Sequence, residues 1–284
     1  MSTANIDKLG IVGCGYVGTA VASVWRERGA KVCGTTRTAR RADELAKIGV
    51  DNCQVTLPFA PLGDDPRAEL TRHLAACDAV IFCPGPGRDA DYDAVFDQGA
   101  ANVMACLDRD TCRALIFLSS TRVYGQDDGE TVTEDDDTGL SDDKGWAIVR
   151  AEQRILGGKV PGIVLRLGGI HGPGRRLADR IRAASGKEIR NPHALVNLVH
   201  RDDIVDAIGL ALQHGHGGVY NVVDDFVETR GELYGRMLED MALAPYVGYI
   251  EDCTEAGRKK ITGKHVSNRK IKDTLGWEPR HPRV

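Results

Sequence analysis

The stretch that most constrains this chain is "LGIVGCGYVGTAVASVWRERG". There a short apolar run meets Gly13, Gly15 and Gly18 in G-x-G-x-x-G spacing and then an amphipathic segment. Alone, the spacing is a weak signal; between an apolar strand and a helix it describes a dinucleotide-binding turn. Gly13 permits the tight turn, Gly15 lets the backbone approach a pyrophosphate, and Gly18 lets the helix pack on the strand. Tyr16 and Val17 open that helix, whose unpaired N–H groups attract phosphate. These five residues form the first half of the expected cofactor site.

Strand-like and helix-like segments then alternate. "KVCGTT" and the runs "AVIFCP" and "ALIFLSS" predict strands covered on both faces. "ARRADELAKIG", closed by Gly49, and "YDAVFDQGAANVMACLD" have helical spacing, as does "SDDKGWAIVRAEQRIL". Such alternation predicts a Rossmann-type, doubly wound parallel sheet of the α/β class. "GIVLRLGGI" and "GGVYNVVD" supply later strands, and the acidic "GQDDGETVTEDDDTGLSDD" reads as a surface excursion. Thr229 and Glu232 in "TRGELYGRMLEDM" have capping-box spacing. The expected division is 1–168 for the dinucleotide-binding part and 169–284 for a part that completes the sheet and forms a small substrate lobe.

At 284 residues and 42% hydrophobic content, the chain can bury a large core. A net charge of -4 without basic runs makes nucleic acid and acidic membranes poor partners. No export signal or span-length apolar run is visible, so a cytoplasmic protein is expected. The eight cysteines form no C-x-x-C pair, and the histidines near them lack metal-ligand spacing. The cysteines are expected to be reduced core residues, with no metal.

The second strand selects the dinucleotide. An NAD site usually has Asp or Glu there for the ribose hydroxyls. "GTTRTARR" has no carboxylate before Asp43 and offers Thr35, Thr36, Arg37, Arg40 and Arg41, which suit a 2′-phosphate. NADP is therefore expected over NAD, with Thr36, Arg37 and Arg40 as contacts and Arg37 foremost.

With "GCGYVG", "FLSSTRVYG", "LRLGGIHGPGR", "NLVHRDDIVDAI" and the closing "LGWEP" in this order, the chain resembles the extended short-chain dehydrogenase/reductases. More narrowly, it is similar to the NAD-dependent epimerase/dehydratase group and its atypical members. The resemblance implies that Ser120 is the active-site hydroxyl. It also places the usual tyrosine and lysine, four apart, on Trp146 and Arg150. Trp146 cannot exchange a proton, so it is expected to stack on substrate, while Arg150 keeps a charge for the nicotinamide ribose. Dehydratases of the group carry an Asp-Glu pair where this chain has Thr121 and Arg122, so 4,6-dehydration is not expected. Thr121 stays a substrate contact. The group's substrate-loop asparagine and tyrosine become Gly169 and His171, which makes a sugar nucleotide a poor substrate. Arg175 and Arg176 can grip an anionic substrate, and Asp202 can cap the helix "DIVDAIGLAL".

Two functions stay open. One is an NADP-dependent oxidoreductase or epimerase-like enzyme on a small carbonyl, hydroxyl or sugar-type molecule. Ser120 would be catalytic, with His171 first and Tyr124 second as the substitute proton donor. The other is an NADP-binding regulatory or scaffold protein without turnover. The enzyme is favoured; a small molecule is the expected partner, and a homodimer is left open.

Overall fold

The apolar runs fold into the strands of one central sheet. The structure, a computed structural model, describes residues 6–58, 64–87, 89–138, 142–250, 261–281 and 283. In chain order the first half contains β1 (Lys8–Val12), α1 (Tyr16–Glu27), β2 (Lys31–Thr36), α2 (Ala39–Lys47), β3 (Asp51–Gln54), α3 (Asp64–Leu74) and β4 (Ala79–Phe82). A π-helical segment (Asp93–Gln98) runs into α4 (Gly99–Ala105), followed by β5 (Ala114–Ser120), β6 (Asp128–Val132), α5 (Asp143–Leu156) and β7 (Gly162–Leu167). The remainder comprises β8 (Gly169–His171), α6 (Leu177–Arg182), β9 (Glu188–Arg190), β10 (Leu198–His200), α7 (Arg201–His214), β11 (Gly218–Val222), α8 (Arg230–Asp240), β12 (Gly248–Ile250), β13 (Gly263–Val266) and α9 (Arg269–Leu275).

The sheet has seven strands in the order β11-β7-β5-β4-β1-β2-β3, all paired in parallel. Because side chains alternate along each strand, both faces must be apolar. Ile116 and Leu118 join the core under α1 and α7, while Leu115 and Phe117 join the one under α3, α4 and α5. Phe117 is fully buried, so its replacement by Ala is expected to cost about 3–5 kcal/mol. The chain reverses direction across the sheet between β1 and β4, which opens a crevice at the carboxyl ends of those strands.

The smaller lobe has a core of its own, with Leu177, Ile181, Leu198, Leu233, Met237 and Leu238. Thr229 and Glu232 form the capping box at the start of α8. Among the described residues, no helix is long and apolar enough to cross a membrane. All seven described cysteines are buried and free.

Three local expectations change. The acidic excursion is not all loop, because β6 within it pairs in parallel with β13, more than a hundred residues later. Lys264 ties it further, donating to the carbonyls of Tyr124 at 2.5 Å and Gln126 at 3.1 Å. Helix α7 is capped not by Asp202 but by His200, whose Nδ1 accepts the Asp202 N–H at 3.2 Å. The expected single helix after Tyr92 starts as a π-helix, and Tyr92, Val95 and Phe96 line one wall of the crevice.

The carboxyl-terminal residues lock onto the sheet through two buried acids. Asp203 accepts the backbone N–H of Arg280 at 3.0 Å and of His281 at 3.3 Å, while its carbonyl takes the indole N–H of the fully buried Trp277. Arg283, also buried, donates to Asp224 at 2.6 Å, to Glu228 at 2.7 Å and to the Phe226 carbonyl at 3.1 Å.

Candidate functional site

A cavity of about 950 Å³ fills the crevice and runs from the glycine loop, past the end of β2, to the end of β5. Its first wall is mostly backbone. Gly13 has φ +98°, and a Cβ there would lie 2.5 Å from the Cys83 carbonyl. A Cβ on Gly18 would lie 2.8 Å from the Gly13 carbonyl, so both positions exclude a side chain. Gly15 is different: a Cβ there would meet only the Gly13 carbonyl, at 3.9 Å. It caps α1 without a side-chain hydrogen bond, and the first turn of α1 contains no acid. An open backbone at a helix N-terminus free of negative charge fits a pyrophosphate.

The end of β2 braces this loop and presents cations. Thr35 is buried; its hydroxyl accepts the Gly13 N–H at 3.0 Å, and its carbonyl accepts the Cys14 N–H at 2.8 Å. Thr36, Arg37, Thr38, Arg40 and Arg41 continue the wall. Arg41 donates to the carbonyls of Cys14 and Gly15 and to the Thr19 hydroxyl, so it holds the glycine loop. The carboxylate nearest this corner is Glu44, one turn into α2, and both Arg40 and Arg41 pair with it. Its charge is thus offset where a ribose phosphate would sit.

The far wall is built of side chains from several elements: Tyr92, Val95, Phe96, Leu118, Ser119, Ser120, Arg122, Ile148, Ile170 and Arg175. The Ser120 hydroxyl accepts the Arg122 N–H at 3.2 Å, which leaves its own proton for a ligand. Arg175 lies 4.4 Å above the Tyr16 ring, with its charge facing the cavity.

Beneath this wall runs a chain of buried polar groups. The Ser119 hydroxyl donates to Glu152, and Arg166 donates to the same carboxylate with Nη2 at 2.7 Å. Arg166 also donates to the Tyr124 hydroxyl at 2.9 Å, which in turn donates to Asn221 Oδ1 at 2.8 Å. Both ends of the Arg166–Glu152 pair are buried. Spacing alone gives no signal for this support, because its members lie on β5, the turn after it, α5, β7 and β11.

Several expected site residues sit elsewhere. Tyr124 is fully buried in that chain, and burial pushes its phenol pKa up. His171 is buried behind Ile170, edge-on to His200 at 5.2 Å. Burial, with His200 second, pushes its pKa down to about 4, which leaves it neutral at pH 7 and a poor proton donor. The Thr121 hydroxyl donates to the Leu167 carbonyl instead of facing the cavity. Arg176 is exposed at the start of α6, outside the wall.

The helix carrying the expected tyrosine and lysine positions is turned. Trp146 and Arg150 line a smaller cleft of about 370 Å³, and Arg150 is paired with Asp93 at 2.5 Å. The α5 residue on the cavity wall is Ile148; Lys144, one turn earlier, lines the smaller cleft with Trp146 and Arg150. Two residues along an α-helix turn roughly 200°, so a two-residue offset in counting directs Trp146 and Arg150 away from the wall that Ile148 joins. Ile148 carries no charge for a ribose.

The structure also gathers His200, Asp202 and His281 within 4.8 Å of one another. The two imidazoles stack at 4.2 Å with 16° between their planes. Parallel rings direct their lone pairs side by side, which is a poor arrangement for a shared cation.

A model of the NAD dependent epimerase/dehydratase family matches residues 11–222. Protein YeeZ of Escherichia coli (strain K12) is 27% identical over 98% of this chain and 97% of its own. The 3-diazoavenalumate denitrifying reductase of a Streptomyces species is 24% identical over 94% of both chains. Among solved structures, the Bordetella bronchiseptica enzyme WbmG in complex with NAD has a TM-score of 0.78 at 17% identity, over 99% of this chain and 92% of its own. That last likeness is one of fold.

Proposed function

Because this chain belongs to the NAD dependent epimerase/dehydratase family, we propose that it is an NADPH-dependent reductase of a small carbonyl compound. The observation that carries this is the single cavity joining the glycine loop to Ser120, with Thr36, Arg37, Arg40 and Arg41 at the β2 corner. The reductase named among the relatives supports the reaction class. Gly13, Gly15 and the N-terminus of α1 would hold the pyrophosphate, and Arg37 and Arg40 a 2′-phosphate. The bound nicotinamide supplies a hydride. The protein's own part is to orient the carbonyl with the Ser120 hydroxyl, to attract an anionic substituent with Arg175, and to exclude water with Val95, Phe96, Leu118 and Ile148.

Calorimetric titration with NADPH and NADH tests the cofactor choice: NADPH is expected to bind more tightly, and equal or reversed affinities refute it. NADPH oxidation in the presence of a panel of aldehydes and ketones tests the activity. A second function keeps support from Ile148, which puts an inert side chain where a ribose-binding cation was expected. In that case the protein binds NADPH without turning it over, and the same panel would leave NADPH unoxidised.

A further inference from the structure

We propose that Tyr92 is the proton donor of this site and that Lys144 holds its ring in place, so that tyrosine and lysine come from two elements instead of one helix. The inference rests on the reductase function of the same cavity. Tyr92 borders both the main cavity and the smaller cleft, at the start of the π-helical segment. Its ring packs against Phe96 with centroids 5.3 Å apart, and Lys144 Nζ stands 5.1 Å from the ring centre. Lys144 is the residue one turn before Ile148 and lines the smaller cleft, so α5 meets the cavity with Ile148 and the Tyr92 ring with Lys144.

The other candidates at this end do not fit. Tyr124 and His171 are buried outside the wall. Arg122 and Arg175 offer guanidinium groups suited to pairing with an anion, not to passing a proton, and an aliphatic hydroxyl such as Ser120 is too weak an acid to act alone. Of the two phenols that line the cavity, Tyr16 stands at the glycine loop at the start of α1 and Tyr92 on the far wall with Val95 and Phe96. In the step, hydride adds to the carbonyl carbon and the π pair moves to oxygen. That oxygen takes the Tyr92 proton, giving an alcohol and oxidised cofactor. Water in the smaller cleft, which Asp91 and Asp93 also line, returns a proton to the phenolate.

The test uses 4-nitrobenzaldehyde as the carbonyl probe. With NADPH, Tyr92→Phe keeps the ring contacts and is expected to lower kcat about 100-fold, with KM and NADPH affinity within twofold of the parent. Lys144→Met is expected to lower kcat about tenfold at unchanged KM, through misplacement of the ring, and Lys144→Arg to restore it. Independently of turnover, protein labelled with 3-fluorotyrosine and loaded with NADP should show the fluorine resonance that Tyr92→Phe deletes, and that resonance should shift when the aldehyde is added. Parent turnover unaffected by Tyr92→Phe would overturn the proposal and leave the reductase function standing. A Tyr92 resonance indifferent to the aldehyde would overturn it as well. A shifted resonance without NADPH oxidation would support Tyr92 as the carbonyl contact and remove the reductase function.

Discussion

The two ends of the cavity are built from different materials. At the glycine-loop end the wall is mostly main chain, with Gly13, Gly15 and the first N–H groups of α1 braced from beneath by Thr35 and Arg41, and cationic side chains enter only at the β2 corner. At the reaction end the contacts are side chains from the π-helical segment, β5, α5 and the loop after β8, resting on the buried Ser119–Glu152–Arg166–Tyr124 chain. A main-chain site depends on which residues lack a side chain, and a short stretch can specify that. A side-chain site depends on the phase of each helix and on support supplied from far along the chain. The first should survive damage to packing elsewhere, and the second should not.

The strongest challenge to that contrast is Glu152→Ala. It leaves the Arg166 guanidinium buried and unpaired, at an expected cost of about 3–5 kcal/mol in urea unfolding. NADPH affinity of the remaining folded protein should hold within a few-fold. A stability loss below about 1 kcal/mol would mean that the chain is not the support described.

Next in size is an acid dependence that belongs to the reaction end. His171 has its folded pKa depressed from 6.5 to about 4, so the unfolded chain binds the extra proton first as the pH falls. Its stabilising contribution is present above about pH 6.5 and is lost toward pH 4, on the order of 2–3 kcal/mol. His200, also depressed by burial and then by His281, adds in the same direction. Denaturation across that range should show the decline in the parent and a shallower one in His171→Phe; parallel curves would remove His171 as its source.

Arg37→Ala sharpens the cofactor end: NADPH binding should weaken by about 1–3 kcal/mol while NADH binding stays nearly level. Loss of both together would point to damage in the loop, not to a lost phosphate contact. The smallest effect is expected from Trp146→Ala. The indole is 44% exposed and faces the smaller cleft, so stability should change by less than about 0.5 kcal/mol. A large drop in kcat would return Trp146 to the reaction end.

The same contrast explains what could be read from residues alone. The glycine loop, the parallel strands and the Thr229–Glu232 box depend on neighbours in sequence, and the structure contains all of them. The cavity face of α5 could not be found by counting from a motif across a loop, so Trp146 and Arg150 stood in for Ile148. Tyr92 lay hidden in a helical pattern because the pattern does not show where a π-turn begins. The position of His171 in its motif says nothing of its burial against His200. The β6–β13 pair was missed because "DGETV" lacks apolar alternation and its partner lies far along the chain.

The carboxyl-terminal lock has a consequence for the order in which the molecule can be made. Asp203 and Asp224 emerge from a ribosome before the groups that complete their hydrogen bonding, which arrive with Trp277, Arg280, His281 and Arg283. Until residue 283 has cleared the exit tunnel, Asp224 keeps the Phe226 N–H but lacks Arg283, and before residues 277 to 281 emerge Asp203 lacks its backbone donors and the seat of Trp277 against α7 stays open. The sheet can begin to assemble during synthesis, but its last closure has to wait for Trp277 and Arg283, and during that interval a chaperone would find an unfinished surface.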